Sequence, residues 1–270
     1  MKCKVIGGVN SEESDYSKHK HITAPVDAAN LNTRISIHNK YSVNKQGFGN
    51  WIASYYQITE GMKILELGCG TGEMWKNNIS LLNKCSEVVL TDLSEGMVET
   101  ARNNIGNLDN VTYQVVDIQD IPFEANSFDI VIANMMLFLV PNMKKGLSEV
   151  KRVLKKEGRF YCATFGEHGI VQYIAHLLKP YGVEERVNKN FTLQNGKQIL
   201  AQYFSSVEMK EYVDSLEVTN IEDMLDYIYT LPSVTSISNI KRDIIKKVLE
   251  QNMVDGILKV PKEYGMFICR

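Results

Sequence analysis

The sequence predicts an α/β fold: a doubly wound, Rossmann-like and mostly parallel sheet of seven strands that ends in an antiparallel hairpin and carries helical lid elements. Three observations support this prediction. Short apolar segments alternate with segments of helical periodicity, a glycine-rich turn follows the first strand, and two more strands are predicted near the end of the sequence. Strands that alternate with helices form parallel sheets, and right-handed crossovers place helices on both faces.

The first five strands are predicted from short apolar segments bounded by polar residues or glycine, a pattern typical of buried strands. Between them, apolar residues recur at every third or fourth position, which predicts amphipathic helices. The predicted strands cover 62–67, 87–93, 111–117, 128–134 and 158–165, and the predicted helices cover 73–84, 95–105 and 143–155.

The pattern is less regular outside this segment. Residues 1–28 lack periodicity and are expected to form a flexible N-terminal arm. The main domain is predicted to comprise 29–218 and 257–270, and it begins with N-terminal lid helices. A helical cap insertion, 219–256, is predicted between the last two strands of the sheet. The remaining elements are helices within 30–56 and at 169–180, 221–231 and 240–252, and strands at 205–213 and 263–270.

Composition excludes several classes of protein. The 270 residues are 44% apolar and 23% charged, which is typical of a globular protein and not of a disordered chain. The formal net charge of −2 argues against a nucleic-acid partner, since such proteins usually carry a basic surplus. No apolar segment approaches the roughly 18 residues that span a bilayer, and the N-terminus lacks the apolar core of a signal peptide. We therefore expect a cytoplasmic protein without a membrane partner. The five cysteines show no metal-ligand spacing, so no metal is expected.

The first predicted strand ends in a glycine-rich turn, Glu66-Leu-Gly-Cys-Gly-Thr-Gly. Glycines let backbone N–H groups approach a ligand closely, since no Cβ stands in the way. Dinucleotide-binding sheets need G-x-G-x-x-G, and Glu73 occupies the place of the third glycine here. An acid at the strand end also suits a ligand with an ammonium group better than a pyrophosphate. The motif therefore argues against NAD.

Polar residues also end the next three predicted strands. Asp92 ends the second strand, where an acid can accept hydrogen bonds from both hydroxyls of a ribose. Asp117, followed by Ile118, ends the third strand and suits an adenine amino group and an adenine face, and Asn134 ends the fourth. Any one of these residues could instead cap a helix or a turn. Because the carboxyl ends of parallel strands meet at one edge, the four polar residues and the glycines together indicate a ligand crevice.

Residues 60–165 resemble the class I S-adenosylmethionine-dependent methyltransferases, in their small-molecule, menaquinone-biosynthesis-like (type 11) branch. The resemblance rests on ELGCGTG, TDLS with the following Met97, VVDIQDIPF, NSFDIVIANMMLFLV and EVKRVLKKEGRFY. It implies the cofactor S-adenosyl-L-methionine, the product S-adenosyl-L-homocysteine, and a small-molecule acceptor methylated at O, N or C. The resemblance implies these cofactor-binding residues: Glu66, Gly68, Cys69 and Gly70 for the methionine part, Asp92 for the ribose, Leu93, Met97, Asp117 and Ile118 for the adenine, and Asn134 near the methionine moiety or the transferred methyl.

The residues on the acceptor side are less clearly marked. Relatives in this family commonly carry histidine after the fourth strand, where this chain has Met135 and Leu139. We therefore consider His168, just beyond the fifth strand, and His38 in the N-terminal helix as candidate bases, with location favouring His168. Either histidine could instead be packed or solvated without a catalytic role.

Two further residues of the N-terminal helix are candidates for the site. Tyr41 is a candidate polar contact of the acceptor, and Arg34 could pair with the carboxylate of the cofactor. A plain position on the helix surface is equally consistent with Arg34.

Two alternative functions stay open at this point. Asn134-Met-Met-Leu lacks the Asn/Asp-Pro-Pro-Tyr/Phe signature of methyltransferases that act on adenine N6 or glutamine amides. An RNA or protein methyltransferase is still an alternative, as is a cofactor-binding protein without transfer activity. We expect a monomer or a homodimer.

Overall fold

The computed structural model describes residues 28–231 and 237–270, and within these residues the chain forms nine strands and ten α-helices. The strands are β1 (Lys63–Leu67), β2 (Glu87–Asp92), β3 (Val111–Val115), β4 (Phe128–Ile132), β5 (Leu154–Phe165), β6 (Val207–Tyr212), β7 (Ser215–Val218), β8 (Leu258–Pro261) and β9 (Tyr264–Cys269). The helices are α1 (Ala28–Tyr41), α2 (Phe48–Tyr55), α3 (Glu73–Lys76), α4 (Ile79–Leu82), α5 (Glu95–Ile105), α6 (Met143–Val153), α7 (Ile170–Leu178), α8 (Gly196–Leu200), α9 (Ile221–Tyr229) and α10 (Arg242–Gln251).

Seven strands form one sheet in the order β3-β2-β1-β4-β5-β9-β6. The pairs from β3 to β5 are parallel, and β9 runs antiparallel to both of its neighbours. Most residues of β1, β2 and β4 are buried, because helices cover both faces of the sheet. The predicted doubly wound, mostly parallel fold with an antiparallel end is confirmed.

Several predicted elements differ at their ends or are interrupted. The helix predicted at 73–84 is divided into α3 and α4, and the amide of Asn78 between them donates to the carbonyl of Met74 at 2.8 Å. Asn side chains that bond to the backbone in this way compete with helical hydrogen bonds. Helix α6 ends at Val153, because Leu154 already pairs with Phe128 of β4. Strands β3 and β4 each end two residues earlier than predicted, so Asp117 and Asn134 lie in the loops just after them.

Two strands and one short helix were not predicted. Strands β7 and β8 pair antiparallel in a separate two-stranded sheet, and α8 has only five residues. Each strand has four residues and buries two apolar side chains, which is too short a pattern to distinguish from a loop. Helices α9 and α10 lie between these strands along the chain. The segment predicted as a cap insertion, 219–256, is thus flanked by one strand at each end.

The apolar residues form three cores. One lies against the sheet face covered by α6 and α8, and a second lies against the face covered by α2, α3 and α5. The third core joins α7 and the elements from β7 to β8, and it includes Ile37 of α1 together with Met224 of α9. Helix α1, one of the predicted lid helices, therefore shares its core with the cap.

Two sequence-based expectations concern parts of the chain that the structure describes little or not at all. Apart from its last residue, the predicted arm 1–28 lies outside the described residues, and so do residues 232–236, which lie between two predicted helices of the cap. Within 28–231 and 237–270, no helix combines the length and the apolar character needed to cross a bilayer. The domain boundaries stay a prediction.

Candidate active site

The carboxyl ends of β1, β2 and β4 meet at one edge of the sheet. Glu66 of β1 lies in register with Leu90 of β2 and Ile132 of β4. The order of strands along the chain reverses between β1 and β4, since β2 and β3 lie on one side of β1 and the later strands on the other. Open α/β sheets bind their ligands at such a reversal. The loops that follow these strands therefore enclose the candidate site.

The glycine-rich turn after β1 leaves open space in front of one of its residues. Gly68 and Gly70 have φ angles of 75° and 55°, a region that disfavours residues with a Cβ. A Cβ at Gly68 would lie 2.9 Å from Cγ of Met136, whereas a Cβ at Gly70 would meet no described atom within 4 Å. Between them, Cys69 donates its backbone N–H to Thr91 at 2.8 Å, and burial raises the pKa of its thiol. A ligand can approach the backbone at Gly70.

Glu66 is a buried carboxyl at the end of β1. Its Oε2 accepts a hydrogen bond of 2.5 Å from Nε1 of the fully buried Trp75. Burial raises the pKa of Glu66 to about 7, with the charge of Asp92 acting in the same direction and the Trp75 hydrogen bond opposing it. A cation bound beside this carboxyl would favour its ionised form. Glu66 is thus suited to hold an ammonium group.

Asp92 is held in a fixed orientation at the end of β2. Its two oxygens accept hydrogen bonds from the N–H groups of Gly70, at 3.0 Å, and Ser94, at 2.9 Å. A carboxylate has about four acceptor positions, so two are left for a ligand. Leu93 beside it exposes 61% of its surface, whereas Met97 of α5 is buried. Both Leu93 and Met97 were predicted to contact the adenine, but only Leu93 offers an exposed apolar surface.

The loop after β3 places its two predicted adenine contacts differently. Oδ1 of Asp117 accepts hydrogen bonds from the backbone N–H of Gln119 at 2.8 Å and from its side chain at 3.1 Å. Ile118 is buried in the core against α6, where a Cβ added at Gly146 would lie 3.4 Å from its Cγ1. The side chain of Ile118 thus faces the core, and the carboxylate of Asp117 helps to form its own turn.

Asn134, after β4, belongs to a buried polar cluster that sequence analysis did not predict. Its Nδ2 donates to Oη of Tyr56 at 2.7 Å, and that hydroxyl lies 3.6 Å from Sδ of Met74, to which it can donate. Oδ1 of Asn134 is buried and has no hydrogen-bond partner in the structure. Tyr56 directly follows α2, so this hydrogen bond connects a lid helix to the ligand edge of the sheet.

The loop that carries Asn134 continues in a strained conformation. Met135 has a φ angle of 54°, which is uncommon for a residue with a long side chain. Its N–H donates to the carbonyl of Ala163 on β5 at 2.8 Å, which holds the loop against the sheet. Such strain, of order 1–3 kcal/mol, is found mainly at functional sites. This loop places Met136 against Gly68 of the glycine-rich turn.

Helix α1 contributes a second polar group, near the carboxyl end of β5. Tyr264 begins β9 and pairs with Phe165, the last residue of β5. Nε2 of His38 lies 3.4 Å from Oη of Tyr264, and the imidazole packs edge-on against the rings of Tyr264 and Tyr227. Burial, assisted by the positive charge of Lys262 and opposed by Asp214, lowers the pKa of His38 to about 3, so the ring is neutral. Its Nδ1 is buried without a partner.

The other three acceptor-side candidates occupy different surroundings. Arg34 lies one helical turn before His38, and its Nε is also buried without a partner. Tyr41 donates to Asp223 of α9 at 2.6 Å and thereby ties α1 to the cap. His168 is exposed, and the bond found for it is made by its backbone N–H, which donates to Glu263 at 2.6 Å. Arg34 and His38 thus lie one turn apart on α1, each with one buried nitrogen without a partner among the described residues, whereas His168 lies at the surface and Tyr41 bonds to α9.

Several residues of the site were missed by sequence analysis. Trp75 could have been suspected, because an indole N–H in the first turn after the glycines lies within reach of the acid before them. Tyr56 was predicted within a helix and Tyr264 within a strand, both at apolar positions, so their hydroxyl groups gave no pattern. Their contacts arise only when distant parts of the chain pack together.

Comparison with known proteins identifies the fold and the family of this chain. The fold is that of class I methyltransferases. A candidate methyltransferase of Bacillus halodurans C-125 superposes with a TM-score of 0.55 at 17% identity, covering 82% of this chain and 96% of that one. A candidate methyltransferase from an antibiotic biosynthesis pathway of Anabaena variabilis ATCC 29413 gives a TM-score of 0.57 at 15% identity, with the same coverage of both chains. Residues 58–219, more than half of the chain, match the methyltransferase domain family, and the chain belongs to that family.

Curated relatives match over a shorter segment. Demethylmenaquinone methyltransferase of Clavibacter sepedonicus is 38% identical over 105 residues, which cover 39% of this chain and 42% of that protein. The ubiquinone/menaquinone biosynthesis C-methyltransferase of Haemophilus ducreyi is 31% identical over 113 residues, 41% of this chain and 44% of that protein. The matching segment thus spans less than half the length of either relative.

The family implies S-adenosylmethionine as the cofactor, and the residues present fit it. Gly70 has open space before its backbone, and Leu93 offers an exposed apolar surface beside the carboxylate of Asp92. Glu66 is a buried carboxyl suited to an ammonium group, and Asn134 has an unpaired buried acceptor atom. Glu66 and Asn134 suit the amino-acid portion of the cofactor, and Asp92 and Leu93 suit its adenosine portion.

Proposed function

We propose that this protein transfers a methyl group from S-adenosylmethionine to O, N or C of a small-molecule acceptor by in-line displacement. The observation that carries the proposal is the polar cluster of Tyr56 and Asn134, in which Oδ1 of Asn134 is buried without a partner in the described part of the chain, together with the buried carboxyl of Glu66. Burying an unpaired polar atom costs free energy, and a bound ligand that donates a hydrogen bond to that atom would remove the cost.

The proposed cofactor contacts follow from the geometry of the edge. The sulfonium of the bound cofactor supplies a methyl group that is already electrophilic. Glu66 and Asn134 hold the amino-acid portion against Gly70, Asp92 accepts from the ribose hydroxyls, and Leu93 covers the adenine. Alignment of donor and acceptor then accounts for much of the rate enhancement, because it replaces a bimolecular encounter by a positioned one.

The first experiment is a calorimetric titration with S-adenosylmethionine, S-adenosylhomocysteine and NAD. We expect binding of the first two and not of NAD. Asp92→Ala should weaken S-adenosylhomocysteine binding by about 1–3 kcal/mol, because a charged hydrogen-bond acceptor is lost. The matched control is Asp109→Ala, an exposed position before β3. Tight NAD binding, or an unchanged dissociation constant in the Asp92 variant, would contradict the assignment.

On the acceptor side, we propose His38 in preference to His168. His38 is neutral, has a buried nitrogen without a partner, and lies beside Tyr264 at the carboxyl end of β5, whereas His168 is exposed. An imidazole with so low a pKa is a weak base, so we propose that His38 accepts a hydrogen bond from an O–H or N–H acceptor and orients it. Arg34, on the same face of α1, is proposed to face the same space. The names of the curated relatives support a small-molecule acceptor, and we expect a cytoplasmic monomer or homodimer.

The roles of the two histidines can be separated by turnover measurements. S-adenosylhomocysteine release would be measured with a panel of phenols, amines and reduced demethylmenaquinone. His38→Ala should lower turnover by about tenfold or more, because a misoriented acceptor reacts more slowly, while S-adenosylhomocysteine affinity changes little. His168→Ala, the matched control, should change neither quantity. The reverse pattern would assign the role to His168.

A further inference from the structure

We infer that Tyr56 is a positioning residue, which fixes the amide of Asn134 so that Oδ1 faces the amino-acid portion of the ligand. The inference rests on the proposed function, since it concerns the same cofactor site. The curated relatives and the family match do not assign Tyr56 any role.

The orientation of the amide follows from a chain of hydrogen bonds. The Tyr56 hydroxyl lies 3.6 Å from Sδ of Met74, and a thioether can only accept, so the hydroxyl donates toward the sulfur. The oxygen of Tyr56 is then an acceptor, and it receives Nδ2 of Asn134 at 2.7 Å. With Nδ2 engaged, Oδ1 is the atom left for a ligand, and it is the atom found buried without a partner.

The surroundings of Tyr56 make this orientation rigid. Tyr56 is 6% exposed, and its ring packs against the rings of Tyr161 and Trp75 at centroid distances of 5.0 and 6.0 Å. Burial is the main cause of a pKa well above the ordinary value for tyrosine, and the charge of the nearby Glu66 acts in the same direction, so the hydroxyl keeps its proton. Trp75 in turn holds Glu66 at 2.5 Å.

The acceptor atoms of the cluster indicate which part of the ligand it binds. The carboxyl of Glu66 and the amide oxygen of Asn134 are both acceptors. Asn134 bonds to the Tyr56 hydroxyl through Nδ2, and the charge of Glu66 acts on the pKa of the same hydroxyl. Acceptors that converge in a buried site suit a donor with several N–H bonds, which is the ammonium group of an amino acid and not its carboxylate. Tyr56 should therefore affect ligands that carry this group and have no effect on ligands that lack it.

The test compares S-adenosylhomocysteine with 5′-methylthioadenosine, which has the same adenosine but no amino-acid portion. Both dissociation constants would be measured by calorimetry for the wild type and for Tyr56→Phe. The substitution removes one hydroxyl from a packed ring, and circular dichroism verifies folding. We expect S-adenosylhomocysteine binding to weaken about 2- to 10-fold, the size of one hydrogen bond, and 5′-methylthioadenosine binding to stay unchanged. Tyr55→Phe is the matched control, since the adjacent Tyr55 makes no hydroxyl hydrogen bond to the described residues.

A double-mutant cycle separates positioning from direct contact. If Tyr56 acts through the amide, Tyr56→Phe should have no further effect on S-adenosylhomocysteine binding once Asn134→Ala is present. Additive losses, or equal weakening of both ligands by Tyr56→Phe, would overturn the inference, as would no effect on either. A wild-type protein that binds neither ligand would instead overturn the proposed function. If the wild type bound 5′-methylthioadenosine but not S-adenosylhomocysteine, the proposed adenosine contacts would stand and the proposed ammonium contacts would be refuted.

Discussion

At the scale of single residues, the site combines one acid that is easily protonated with one that is held by hydrogen bonds. Glu66 is buried and shares its surroundings with Trp75, Asp92, Tyr56 and Cys69, whereas Asp92 is fixed by two backbone N–H groups. Both acids lie at the ends of neighbouring parallel strands, but Glu66 is buried and Asp92 is only partly buried. Identity and spacing predict the presence of two acids at this edge, but burial is decided only by the elements that cover each of them.

The raised pKa of Glu66 leads to a prediction about ligand affinity and pH. In the free protein, Glu66 gains a proton as the pH falls through about 7. A bound ammonium favours the ionised carboxylate, so binding below that pH must release the proton. The dissociation constant of S-adenosylhomocysteine should therefore rise as the pH falls from 7 to 5, by up to about tenfold per unit. The affinity should level off above pH 7.

Calorimetry in buffers of different ionisation enthalpy would measure the released proton directly. The ligand 5′-methylthioadenosine carries no ammonium group, so its affinity should not follow this titration. In Glu66→Gln, S-adenosylhomocysteine should bind more weakly and lose the pH dependence. Parallel pH profiles for the two ligands in the wild type would show that Glu66 does not contact the ammonium.

At the scale of elements, long and regular patterns predicted the structure best. The parallel strands β1 to β5 and helices α5 and α6 were predicted within a few residues, because periodic burial over many residues leaves a clear pattern. The glycine-rich turn was predicted from backbone requirements alone. The short strands β7 and β8 and the interruption between α3 and α4 were missed, because their conformations depend on tertiary contacts and on asparagine side chains.

The candidate site residues divide in the same way: those at strand ends were predicted, and those brought in by packing were missed. Glu66, Asp92 and Asn134 end strands or begin loops at an edge that the topology defines, so the sequence alone could place them together. The partners Tyr56 and Tyr264 come from segments far away in the chain, and only packing brings them to this edge. The histidines illustrate the limit: strand order alone favoured His168, and only the structure shows that His168 is exposed while Nδ1 of His38 is buried.

At the scale of the whole molecule, one buried ion pair joins three parts that are far apart along the chain. Asp214 lies between β6 and β7, Lys262 lies between β8 and β9, and the two side chains form a salt bridge at 0% and 1% exposure. Both also bond to the hydroxyl of Ser42, the residue just after α1, and Asp214 accepts from the N–H of Asn44 at 2.9 Å. The pair thus connects the end of α1, the two-stranded sheet of β7 and β8, and the antiparallel end of the main sheet. It also places the positive charge of Lys262 near His38.

Removal of one partner of this pair should destabilise the protein strongly. Lys262→Met leaves the charge of Asp214 buried without its counter-ion, and such losses are about 3–5 kcal/mol. The double variant Asp214→Leu with Lys262→Met removes both charges and should be more stable than Lys262→Met alone. Urea unfolding measures both, and Glu87→Gln is the control, since it breaks the exposed Lys63–Glu87 pair and should have little effect. If Lys262→Met unfolded at the same urea concentration as Glu87→Gln, the three parts would have to be held together by their apolar contacts alone.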